Sequence, residues 1–256
     1  MRITQLQNSF HWLHNDSLMK KYSFNAANNI NEPVLFFGCY GNDYIEKALS
    51  WNNKVIIWWS GSDILNFKKQ PLLIERIRNN NNIIHLATCN FIEKDLNELS
   101  LPYIKVPLFT LNSEIFESKP LGDSIYVYHP GVQTYCPAPL YQKIRKEFSN
   151  VPFIEADNFR TFDQNKLHEM YERSFLALRF TAHDGLSHTA CEMGLMGRKI
   201  IWNGDTPNAI NYKSDDDILQ SIEDVVKNKY CPNTISEEMH NYLNIGDDWL
   251  NIISLF

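Results

Sequence analysis

Basic residues are in the minority: 24 Lys and Arg stand against 30 Asp and Glu, giving a formal net charge of −6. With no cationic excess to neutralise phosphates, a nucleic-acid partner is not expected. Long apolar runs are missing too. No stretch approaches the roughly 18 to 20 consecutive apolar residues that span a bilayer, so no transmembrane segment is expected. The opening MRITQLQNSFHWLHND has no apolar run of a secretory signal, which makes a cytoplasmic location the expectation. Peripheral membrane contact stays open, although Lys68 and Lys69 beside Phe67 read more simply as a solvated surface. Cysteine is sparse: Cys39, Cys89, Cys136, Cys191 and Cys231 are odd in number, scattered, and form neither a C-x-x-C pair nor a cluster with histidine at metal-ligand spacing. They read as reduced packing thiols, and neither a metal nor a bound cofactor is expected. Internal repeats and low-complexity tails are absent, and the Asn79 to Asn82 run reads as a loop.

What is present describes a folded chain. Hydrophobic residues make up 44%, aromatics 13% and charged residues 21%, close to soluble globular averages and enough for a sizeable core. The 256 residues admit one large α/β domain or two of about 100 to 150 residues. Apolar runs bounded by turn residues alternate with segments of helical spacing: VLFFGCYG then DYIEKALSW, KVIIWWSGSD then ILNF, IIHLATCN then FIEKDLNEL, closing on YIKVPLF. The polar SEIFESKPLGD, with Pro120 and Gly122, reads as a linker. A second alternation follows, with SIYVYHPG, VPFIEAD, SFLALRF and KIIWNG as strands. Its helices are APLYQKIRKEF, DQNKLHEMYER, SHTACEMGLMG and DDILQSIEDVVKNKY. Strand-helix alternation predicts parallel sheets, here in two Rossmann-like domains facing across a cleft: 1–118 on the acceptor side, 119–256 on the donor side. The helical C-terminal segment is free to pack back on the first.

Residues 176–202 carry the most chemical information. An apolar strand ends at Phe180, a polar loop follows, and Gly185 and Ser187 open a helix that ends at Gly197 before the next strand. Ser187 reads as an N-cap. Bare amides and the positive end of a helix dipole suit an anion such as a diphosphate, and Gly185 would let it approach. Asp184 and Glu192 are eight positions apart, roughly 10 Å along a helix axis, a span that suits the two sugars of a nucleotide-sugar.

The run from Asp184 to Glu192, followed by Gly197-Arg-Lys-Ile-Ile, resembles the E-x7-E signature of retaining GT-B glycosyltransferases, with Asp184 in place of the first glutamate. The resemblance implies a short-form GT-B fold, with Asp184 at the donor sugar, the amides of Gly185, Leu186 and Ser187 at the diphosphate, and Glu192 at the ribose. Trp58 to Asp63 is similar to the W-x-G-[ST]-D loop of the family's acceptor-side domain, which marks Ser60, Gly61 and Ser62 as acceptor-side candidates and Asp63 as a catalytic one. Where the family carries an Arg and a Lys after the first strand of its second domain, this chain reads Tyr128 to Thr134 with no cation. Arg179 at a strand end, or His183, would supply the missing charge, and His129 is a further donor-side candidate.

Each assignment has a plainer rival. Asp184 and Glu192 fit a solvated helix face, Arg179 a structural ion pair, and Asp63 a cap for the helix at Ile64. Gly38 and Gly41 fit a tight strand-to-helix turn, and one of Trp58 and Trp59 fits the core while the other faces the cleft. The leading expectation is metal-independent, retaining transfer of a sugar from a nucleoside diphosphate sugar to a hydroxyl of a glycan, lipid or protein. A nucleotide-sugar epimerase and a non-catalytic nucleotide-sugar binding module stay open, as does a homo-oligomer.

Overall fold

The computed structural model describes residues 3–9, 15–110, 113–129, 138–157, 164–228, 230–247 and 249–250. The chain divides into two compact units. Unit 1 comprises Met1–Asn112, His183–Leu186 and Leu243–Phe256; unit 2 comprises Ser113–Ala182 and Ser187–Tyr242.

Unit 1 runs β1 (Gln5–Asn8), α1 (Asn15–Tyr22), β2 (Asn25–Ala26), β3 (Val34–Phe37), α2 (Asn42–Leu49), β4 (Val55–Trp58), α3 (Ser62–Phe67), α4 (Pro71–Arg78), β5 (Ile83–Ala87), α5 (Asn90–Glu98) and β6 (Tyr103–Lys105). Its six strands are ordered β2-β1-β3-β4-β5-β6, every pairing parallel. β3 and β4 read as unbroken apolar runs because both faces of a parallel sheet are covered. Val34, Phe36, Val55, Ile57 and Trp59 pack with side chains of α2 to α5, while Leu35, Phe37, Ile56 and Trp58 join the opposite cluster around Phe24 and Trp249. Trp59 is 0% exposed and Trp58 4%, so both tryptophans are core residues on opposite faces, and neither is left open. Pro at the start of α4 costs nothing there, since a first-turn amide has no helical partner. Gly38 and Gly41 make the expected turn after β3, both with positive φ.

Both units carry a topological switch point, the place where open parallel sheets bind ligands at the carboxyl ends of their strands. In unit 1 the chain leaves β1 for β2 on one side and returns to β3 on the other, so the Gly38 turn stands at the switch. Unit 2 contains a 3-10 turn at Ser113–Ile115, then β7 (Ser124–His129), α6 (Ala138–Glu147), β8 (Phe153–Asp157), α7 (Gln164–Glu172), β9 (Ser174–Leu178), α8 (His188–Leu195), β10 (Lys199–Ile201), β11 (Ala209–Ile210), α9 (Asp215–Lys227) and α10 (Pro232–Asp247), whose last turns group with unit 1. The strand order β11-β10-β9-β7-β8 is again all parallel, with the switch between β7 and β9. Ile125, Val127, Leu176, Leu178 and Ile201 form the core with α6 and α9. Each such buried aliphatic contributes about 1.5 to 3 kcal/mol.

Arg198 fixes the stretch expected as a linker. Its side chain is 0% exposed and donates to the backbone carbonyls of Lys119, Pro120, Tyr171, Glu172, Ser174 and Met196. A guanidinium with five donors in a rigid fork can satisfy such a set of carbonyls without an acid partner.

Candidate functional site

In unit 2, β9 delivers Arg179 to the carboxyl end of the sheet. Its amide donates to Ile201 O at 3.1 Å, and its guanidinium lies 4.0 Å from the centre of the Tyr128 ring, which comes from the neighbouring β7. A cation and an aromatic face therefore stand together at the switch point. The His129 side chain and the stretch 130–137, where the expected family cations are missing, lie outside the described residues.

α8 begins as the sequence expects. Ser187 is its N-cap, with Oγ accepting from the Ala190 amide at 3.2 Å. Seven of its eight residues are buried, Glu192 among them at 8% exposure. The Tyr171 hydroxyl donates to Glu192 Oε2 at 2.9 Å, and the Tyr171 ring meets the Tyr126 ring edge-on at 5.2 Å. Burial drives the Glu192 carboxyl up to about 7, and the single Tyr171 bond only partly opposes it. A buried acid with one donor is energetically poor, and such groups cluster at functional sites. Glu192 is thus no member of a solvated helix face.

In unit 1, the turn between β4 and α3 is organised by Asp63. This side chain is 0% exposed, and its oxygens accept from the amides of Cys39, Ser60, Gly61 and Ile64 at 2.9 to 3.2 Å. Burial pushes its carboxyl upward, with the four amide bonds pulling the other way. α3 starts at Ser62 with Gly61 as its N-cap, so Asp63 is not the cap but a brace that ties the β4 turn to the Gly38 turn of β3. On the outer side of that turn the hydroxyls of Ser62 and Ser60 lie 3.1 and 3.4 Å from the Tyr40 hydroxyl.

The segment His183–Leu186 belongs to unit 1 and lies on the same β4 turn. Gly185 approaches so closely that an added Cβ would sit 2.0 Å from Ser60 O. Gly61 faces it with φ +138°, a conformation side chains other than glycine rarely adopt. Asp184 Oδ1 accepts from the Gly185 amide at 3.0 Å, the Cys89 thiol donates to the Asp184 carbonyl at 3.8 Å, and Leu186 packs against the core. His183 Nε2 lies 2.6 Å from Asp95 Oδ2.

The structure thus gathers His183, Asp184, Gly185 and Leu186 with Ser60, Gly61, Ser62 and Asp63 in unit 1, and sets Arg179, Ser187 and Glu192 in unit 2. Sequence reasoning missed Tyr40, Asp95 and Tyr171. Asp95 reads as one acid of a solvated face with Glu93 and Glu98, and Tyr171 as an ordinary amphipathic-helix residue; nothing in their spacing marks them. Among the described residues no group of three or more His, Cys, Asp or Glu side chains is placed to hold a metal ion, and no helix is long and apolar enough to cross a membrane.

No family model matches the sequence, and no curated protein matches it either. Solved structures do. Sucrose-phosphate synthase from Thermosynechococcus elongatus superposes with a TM-score of 0.55 at 11% identity, over 94% of this chain and 75% of that one. TarM gives 0.58 at 12% identity, over 89% of this chain and 54% of its own. A trehalose-6-phosphate synthase, studied for glycosyl transfer with retention, gives 0.57 at 8% identity, over 89% and 74%. At such identities the likeness defines the fold: two parallel α/β units of the GT-B glycosyltransferase type.

Proposed function

We propose that this protein is a glycosyltransferase that moves a sugar from a nucleoside diphosphate sugar to a hydroxyl acceptor, with retention and without a required metal. The observation that carries the reading is the Glu192 carboxyl, buried on the helix that follows the switch-point strand, held by Tyr171 alone among the described residues and poised near neutrality. Such a group has accepting capacity left for a pair of ribose hydroxyls. Arg179, with its charge over Tyr128, stands by the departing diphosphate together with the Ser187 amide at the start of α8, whereas the Gly185 amide is taken by Asp184 Oδ1. Asp184 grips the donor sugar, on a turn tied down through His183. Ser60, Gly61 and Ser62, with Tyr40 beside them, face the acceptor, while Asp63 acts through the turn it braces rather than by touching substrate. Catalysis in this reading rests on positioning the two substrates and on stabilising the leaving diphosphate. The GT-B fold supports the reaction class, and the retaining neighbour supports the stereochemistry.

The test is a panel of nucleoside diphosphate sugars, scored for transfer and donor hydrolysis with and without a chelator, with the product anomer read by NMR. Glu192→Ala and Asp184→Ala are expected to lower turnover by about a hundredfold or more. Wild-type turnover in both variants, or no nucleotide-sugar bound by the intact chain, would remove the reading.

A further inference from the structure

Asp95 is the one acid of α5 that the fold buries, at 4% exposure, although its neighbours Glu93 and Glu98 face outward on the same helix. Two side chains of unlike origin meet it. Lys68, just past the end of α3, reaches Oδ1 at 2.8 Å, and His183 takes Oδ2 at 2.6 Å. Burial alone would raise this carboxyl, but the bonds and charges of His183 and Lys68 outweigh it and hold it below the usual carboxylate range. The His183 side chain is 15% exposed, and its ring lies 5.8 Å from that of Phe91 of α5, tilted by 55°.

The next residues along the chain are Asp184 and Gly185. The contacts that place them over the β4 turn include individually weak ones: the long thiol bond from Cys89, a van der Waals approach at Gly185, and the packing of Leu186. A charge-assisted bond to a buried acid is shorter and roughly twice as strong as a neutral one. The bond from His183 to Asp95 is such a tie, made at the first residue of the segment His183–Leu186.

We propose that Asp95, oriented by Lys68, is a positioning residue: by clamping His183 it sets the Asp184–Gly185 turn in the geometry that grips the donor. The functional half of this proposal rests on the glycosyltransferase reading above; the clamp itself does not. Backbone amide exchange read by mass spectrometry tests the clamp without any substrate. In Asp95→Ala the peptide covering 182–187 is expected to exchange at least about tenfold faster than in the wild type, with peptides of β4 and α4 unchanged. Lys68→Met, which keeps the Asp95–His183 pair, should produce a smaller rise. If Asp95→Ala does not fold, His183→Phe removes the same bond from the less buried side and must loosen the same peptide. Unchanged exchange of 182–187 in whichever of these folds overturns the proposal.

With an active donor in hand, Asp95→Ala should raise the donor KM about tenfold while kcat changes little, the signature of lost ground-state binding. Asp95→Asn, which keeps an oxygen facing His183, should recover part of that loss. A donor KM at the wild-type value in a variant whose turn has loosened would refute the positioning role. If the wild-type chain turns over no nucleotide-sugar, the glycosyltransferase reading falls, while the exchange result still decides the clamp.

Discussion

Asp63 in unit 1 and Glu192 in unit 2 are both buried carboxylates, and they meet the solvation penalty in different ways. Asp63 in unit 1 accepts four backbone amides, whereas Glu192 in unit 2 has the Tyr171 hydroxyl as its one donor among the described residues. Burial raises both, but the first is saturated by fixed backbone and the second keeps vacant lone pairs. The same contrast runs wider. In unit 1 the buried Asp95 is shared by Lys68 and His183, and buried His85 accepts from Trp59 Nε1 at 3.1 Å. In unit 2, Arg198 is saturated by carbonyls, whereas Glu192 keeps accepting capacity to spare. Saturated groups are architecture; an unsaturated acid is where a ligand would have something to gain.

The contrast breaks most completely at Arg198. Arg198→Ala would remove a donor from six carbonyls inside unit 2; Met196 O and Ser174 O keep the Lys119 and Gly122 amides, and each of the other four, once orphaned, costs about 1 to 3 kcal/mol. The expected loss is on the order of 6 kcal/mol, comparable to the whole stability of an ordinary domain. Urea equilibration followed by a brief exchange pulse reads the two units separately. It should show β9 and α8 unfolding at far lower urea, with β3 to β5 unaffected. Equal shifts in both units would deny Arg198 its local role.

A pH series gives the next largest effect and separates the units by sign. His85 is fully buried, and burial lowers its imidazole from 6.5 to about 3. The unfolded chain therefore takes up a proton between those values that the folded one refuses, so unit 1 loses stability as pH falls through that window, by roughly 5 kcal/mol at its end. His85→Gln retains an acceptor for Trp59 without a titrating group. It should flatten the acid limb of unit 1 in the same pulse experiment. An unchanged limb would mean that His85 is protonated in the folded state.

How much of this was legible beforehand follows from what each residue's neighbours are. VLFF, VIIW and SFLAL announced themselves as strands because covered parallel strands must be apolar on both faces. β1 did not, since QLQN is half polar. Gln5 is buried there because its amide donates to Asn29 O and its oxygen accepts from the Asn28 and Asn29 amides, a long-range exchange no local pattern records. Ser187 was readable as a cap because capping is local. Asp63 was readable as a turn residue, yet its amide from Cys39 comes from 24 positions away. Tyr171 and Asp95 were invisible for the same reason: their partners Glu192 and His183 lie 21 and 88 positions further along.

Glu192→Gln sharpens the comparison at its smallest scale. The folded carboxyl is raised from 4.5 to about 7, so its stabilising contribution is fully present below pH 4.5 and is lost as pH rises to about 7, a change of roughly 3 kcal/mol. Unit 2 should therefore weaken toward neutral pH over a range where unit 1, governed by His85, strengthens. The glutamine keeps the oxygen that accepts from Tyr171 and carries no charge, so the Glu192 part of the pH slope of unit 2 between 4.5 and 7 should vanish, leaving the opposite slope from His168, whose imidazole burial lowers, while that of unit 1 persists. Nucleoside diphosphate binding should weaken in the same variant, because a neutral amide is a poorer acceptor for ribose hydroxyls than a carboxylate. A variant that loses the slope but binds as the wild type would make Glu192 a buried acid without a ligand, and the contrast between the units would then be one of stability alone.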